Sequence, residues 1–191
     1  MENFCRGLQR YKEFFTYLCA LIPSNFSMIT AKIQVEPYVA EYIIGKFYSP
    51  DDGAVHFPPS LDIYVTIYDL MAKRPDGAGT DTGNLCFCLP DRREGNRKCG
   101  KSPEQYNYFS ERAVKILERR MRVMLWAELH DFMDENKHLR GVRFIDSVFT
   151  FMKRYDINSI SEDAMLKNYQ RWRDNLRRSK KRAYKKQKKS S

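Results

Sequence analysis

The chain has 191 residues, 42% of them apolar, with twelve Phe and twelve Tyr, which is enough to bury a core of its own. Five cysteines at 5, 19, 86, 88 and 99, an odd number with no C-x-x-C pair, exclude a disulfide framework and point to a reducing cytoplasm. Net charge is +10, yet residues 161–191 hold twelve Lys/Arg against three acids, a local charge of +9, so the body is nearly neutral and one end is cationic.

Residues 1–22 contain an apolar run, but Arg6, Arg10, Lys12 and Glu13 interrupt it. The remainder is too short to span a bilayer and lacks the form of a secretion signal. Phe4, Leu8, Tyr11, Phe15 and Leu18 follow helical spacing, so 1–27 reads as an amphipathic helix or extension, with Met28 as an alternative start.

The body, 28–141, reads as α+β. Ile29, Ala31, Ile33 and Val35 alternate with polar residues and predict a half-buried strand over 29–36, ended by Pro37. A short helix follows over 38–48, then the turn Ser49-Pro-Asp-Asp-Gly53 and a short strand over 54–57. Ser60 caps a helix over 61–73, 75–83 is a glycine-rich loop, and 84–89 is a third strand. Three short strands predict one small antiparallel sheet in a mostly helical molecule. Ser102-Pro-Glu-Gln105 is a helix start, with Ser110 as an alternative restart. Ala113, Ile116, Leu117, Met121, Met124, Leu125, Leu129 and Phe132 then mark a long amphipathic helix to about Asn136, the spine of the core.

The C-terminal part divides into a two-helix unit, 142–178, and a basic tail, 179–191. The first helix covers 144–155 and the break covers 156–159. The second starts near Ser161, with Ser159 or Ser161 as its cap. Met165, Tyr169, Trp172 and Leu176 form one apolar stripe, with Tyr169 and Trp172 expected to pack on the body. Lys167, Arg171, Arg178 and Arg182 share the opposite side. Two helices joined by so short a break match the helix-turn-helix outline, whose second helix enters the major groove. Arg171 and Asn168 are the expected base readers, and Arg173 is expected to read a base or to reach a phosphate at the groove edge. Arg177, Arg178, Lys180, Lys181, Arg182, Lys185 and Lys186 complete the candidate nucleic-acid surface alongside Lys167.

Other groupings read as structural. Arg119, Arg120 and Arg122 have acidic neighbours at helical spacing. Cys86 and Cys88 are expected on opposite faces of their strand, which with Cys99 makes a poor metal set. His130, Asp131, Asp134 and Glu135 cluster as a metal-dependent nuclease would require, but they also suit the solvent side of a helix. The Gly77 to Gly83 loop lacks the Gly-Lys-Ser/Thr ending of a P-loop. No metal and no cofactor are expected.

The run Ile160-Ser-Glu-Asp-Ala-Met-Leu-Lys-x-Tyr-x-Arg-Trp-Arg173, within about 142–185, resembles the helix-turn-helix segments of small DNA-binding proteins of bacterial phages and mobile elements. The resemblance implies DNA binding in regulation, replication or recombination. A homodimer is a separate expectation for the chain. RNA binding, a phage protein-interaction module and a metal-dependent nuclease around His130 are the rival readings.

Overall fold

The computed structural model describes residues 29–79, 81–90 and 100–190, with 183 and 185–190 described by backbone alone. The expected N-terminal helix, the cations Arg92 to Lys98 and Cys99 lie outside the described residues. The fold is α+β and mostly helical, with a small four-stranded sheet in the N-terminal half. Strands β1 (Thr30–Ile33), β2 (Tyr48–Ser49), β3 (Ala54–Val55) and β4 (Leu85–Cys88) stand in the order β1-β4-β3-β2. Helices α1 (Pro37–Phe47) and α2 (Asp62–Leu70) belong to this half. Three helices follow: α3 (Glu111–Arg140), α4 (Phe144–Tyr155) and α5 (Glu162–Ser190).

The sheet is mixed. β1 pairs antiparallel with β4, with Ala31 opposite Phe87, and β2 pairs antiparallel with β3. β3 lies parallel to β4, with Val55 opposite Phe87. The cause is the connection: β3 reaches β4 through α2, and a helical crossover returns the chain in the same direction. Alternation along β1 and β4 sends Ala31, Ile33, Leu85 and Phe87 into the core. Beyond β1 the Asn84 amide continues the ladder, accepting from the Val35 N–H at 3.0 Å and donating to its carbonyl at 2.9 Å.

The early helix start at Ser102 stops after one turn, in which the Gln105 and Tyr106 N–H groups bond to the Ser102 carbonyl. Tyr108 then bridges to Ala72, and α3 begins only at the second signal, where Ser110 Oγ accepts from the Ala113 N–H. From there α3 runs 30 residues to Gly141, whose φ of 68° closes it. Its core face is Leu117, Met121, Leu125, Leu129 and Met133, all fully buried.

α4 and α5 share this core. Val148, Phe151, Tyr155, Ile157, Met165 and Tyr169 join one continuous apolar cluster with the sheet, α1 and α3. α1 fixes the start of the α4–α5 turn. A Cβ on Gly45 would fall 2.5 Å from the Tyr155 carbonyl oxygen, so only glycine permits this approach. Tyr42 from α1 and Tyr155 from α4 both donate to the Glu128 carboxylate of α3, which Lys46 also meets. Among the described residues, no helix is long and apolar enough to cross a membrane.

Candidate nucleic-acid interface

The break between α4 and α5 is a built turn. Asp156 ends α4 in the left-handed region at φ 51°. The N–H groups of Asn158 and Ser159 and the Ser159 hydroxyl all donate to one oxygen of Glu41, at 2.9, 3.0 and 2.8 Å. Ser159 is therefore bound to α1, and Ser161 is the cap, its Oγ accepting from the Ala164 N–H at 3.3 Å. This decides between the two serines that the sequence offered.

α5 then runs 29 residues, and among its described side chains those packed on the body all lie in its first half. Met165 and Tyr169 are fully buried. Tyr169 donates to Asp134, and burial with this bond pushes its hydroxyl pKa up to about 12. Trp172 is half-buried and stacks on His130, ring centroids 4.4 Å apart at 22°. His130 is buried, and burial lowers its pKa below the ordinary imidazole value. Past Arg173 the burial ends: every residue from Asp174 to Arg182 is exposed, Leu176 included at 41%. At 1.5 Å per residue, residues 174–190 project roughly 25 Å beyond the packed part.

The predicted residues divide along this line. Asn168, expected as a base reader, is engaged internally: its Oδ1 lies 3.0 Å from His130 Nε2 and ties α5 to α3. Arg173 is likewise turned inward. Its guanidinium lies over the rings of Phe144 and Tyr169, at 5.1 and 5.5 Å, and it is half-buried. Lys167 is exposed but ion-paired with Asp163 at 2.6 Å. Arg171, Arg178, Lys180, Lys181 and Arg182 are exposed and make no ion pair among the described residues, while Arg177 sits 3.6 Å from Asp174. The side chains of Lys185 and Lys186 lie outside the description, although their backbone continues α5. Tyr184, 67% exposed, belongs to the same surface and was missed in the sequence because it falls outside the apolar stripe.

The other groupings have structural partners. Asp134 holds Tyr169 and Glu135 pairs with Arg140 at 2.8 Å. Among the described residues no three His, Cys, Asp or Glu side chains converge to hold a metal. Arg120 pairs with Asp62 at 3.0 Å, and Arg122 meets Glu118 and Glu36. The expected division of Cys86 and Cys88 is wrong: residues two apart on a strand share a face, and both lie opposite the buried Leu85 and Phe87. Cys88 Sγ is 3.1 Å from His56 Nε2, which also lies 2.8 Å from Asp52. Burial, helped by the charges of Asp52 and Cys86, raises the Cys88 thiol to about 11, so it is held protonated.

Comparisons of this chain with family models, with curated proteins and with solved structures give no match.

Proposed function

We propose that the chain binds duplex DNA, and that α5 from Arg171 onward is the element that enters the groove. One observation carries the reading: a helix anchored at one end by buried Met165 and Tyr169 continues outward as a free rod bearing Arg177, Arg178, Lys180, Lys181 and Arg182. At 100° per residue these five cations span roughly 200° of the helix surface. They leave bare only the side that continues the Tyr169–Trp172 stripe, where Leu176 and Ser179 lie. A rod charged on both flanks meets both phosphate walls of a groove. The B-DNA major groove, about 12 Å wide, admits a helix, whereas the A-form major groove is deep and narrow. The resemblance of 142–185 to phage and mobile-element helix-turn-helix segments supports the same reading. It suggests a regulatory, replication or recombination accessory. Arg171, at the point where α5 leaves the body, is the best placed base reader, since Asn168 and Arg173 are engaged internally.

RNA or single strands form the second reading, favoured by Tyr184, an exposed aromatic among cations that can stack on an unpaired base. Titration of the full chain against duplex DNA, single-stranded DNA and duplex RNA across a salt series separates the two. The proposal expects duplex DNA to bind tightest, with log K falling linearly in log salt. Preference for single strands moves the function to the second reading. Absence of binding even at low salt overturns both.

A further inference from the structure

α4 has two apolar faces, and the core covers one of them together with Met152 at the end of the other. Ser147, Val148, Phe151 and Tyr155 are buried. Ile145, Phe149 and Met152 recur at i, i+4 and i+7 on a neighbouring side; Ile145 is 39% and Phe149 54% exposed. At the C-terminal end of this stripe lies a cavity of about 230 Å³, lined by Phe149, Met152 and Ile157 together with Lys153, Asp156, Asn158 and Glu162. A protruding aromatic ring and a cavity of mixed apolar and polar lining thus sit side by side on one surface.

That combination is what a two-fold contact requires. In an isologous pair every knob must find its hole on the same patch of the other copy. A partner of different sequence would need only the knob or only the hole. Charge agrees. Asp156 and Glu162 in the lining oppose a polyanion, so this surface is not an extension of the basic helix. The opposite end of α4 carries Arg143 and, just before it, Arg140. Arg143 is paired with Asp146 and Arg140 with Glu135, yet their side chains stay 78% and 60% exposed, with donors to spare. Antiparallel alignment of two α4 helices lays this basic end over these acids, twice by symmetry.

We propose that two copies of the chain pair through α4, antiparallel, with Phe149 of each filling the cavity beside Phe149 of the other. The contact is made without nucleic acid and stands whether or not α5 binds DNA. The test is sedimentation of the full chain over a concentration series, without nucleic acid, at salt high enough to screen repulsion between the basic helices. The wild type is expected to form a reversible dimer. Phe149→Ala should weaken it at least about tenfold, as loss of a central anchor does. Phe149→Glu should leave a monomer with an unchanged far-ultraviolet circular dichroism spectrum, since the ring is more than half exposed. Ile145→Glu, at the other end of the stripe, reads the same surface if Phe149→Glu does not fold. A wild type that stays monomeric throughout overturns the proposal. So does a dimer that survives folded variants at both positions.

Discussion

Glu128 shows how much of this molecule is decided by single side chains far apart in sequence. Burial alone would raise its carboxyl, but hydrogen bonds from Lys46, Tyr155 and Tyr42 outweigh that and hold it below the ordinary carboxylate value. The partners lie 82, 27 and 86 residues away, so nothing local in the sequence marks Glu128 apart from any other helix glutamate. The same holds for Asn168, which looks like a base reader on a wheel and is bound to a histidine 38 residues earlier. Linkage makes both contacts measurable. Glu128 and His130 each have a folded pKa below the ordinary value, so on acidification the unfolded chain takes up the proton first. Stability is complete above the unfolded pKa of each group and is lost as pH falls toward the folded one. The melting temperature should therefore drop in two stages, the first beginning below about pH 6.5 for His130 and the second below about pH 4.3 for Glu128. His130→Gln should erase the first stage and keep the second. Glu128→Gln, measured near neutral pH, should cost about 1.5–3 kcal/mol, the scale of a hydrogen bond to a charged group. A melting curve independent of pH across both windows would show that neither contact forms in solution.

At the scale of elements, hydrophobic period was the most informative signal. The predicted helix over 38–48 is Pro37–Phe47, and 144–155 is Phe144–Tyr155. These are segments whose buried face alone sets the spacing, so local pattern and fold agree. What period cannot carry is pairing across the chain. The two-residue β2 and the parallel contact of β3 with β4 depend on where α2 returns the chain, and no short window contains that. At Ser102 the sequence left open a continuous helix or a single turn with a restart at Ser110, and the second holds: the Tyr108–Ala72 bridge draws the backbone into extended form before a second turn can add. For α5 the stripe was read correctly, but its end was not, because Leu176 has apolar character and no surface to pack on. Trp172 is the last aromatic ring that docks α5, stacked on His130 and near Tyr169, with Arg173 beside it over Phe144. Trp172→Ala should cost about 2 kcal/mol, less than the 3–5 typical of a fully buried ring. Urea denaturation followed by circular dichroism would read it. If stability is unchanged and nucleic-acid binding falls, Trp172 faces a ligand and not the body.

For the whole molecule, the decisive property is separation: an almost neutral packed body and a cationic rod whose described side chains share none of its core. Charge counting along the sequence located the rod. Which of its cations are free was not legible, since that depends on Asp163 meeting Lys167 and on Phe144 lying beneath Arg173. The separation makes binding and stability divisible by truncation. Removing 179–191 deletes seven cations: Lys180, Lys181, Arg182, Lys185, Lys186, Lys188 and Lys189. None of the described side chains among them contacts the core, so the melting temperature should not move. If all seven neutralise phosphates, the slope of log K against log salt should become shallower by about 6, from the loss of about 0.9 per contact on B-DNA. Affinity should fall most at low salt, where counterion release contributes most. Arg171 stays in the truncated chain, so any sequence preference should survive at reduced affinity. Arg171→Ala in the full chain should do the reverse, relaxing preference by about 1–3 kcal/mol at one base position with the salt slope nearly intact. Selected-site experiments on both variants, each with its own salt series, tell these roles apart. An unchanged slope after truncation would make the rod a bystander. Preference lost on truncation but kept in Arg171→Ala would place base reading farther along α5.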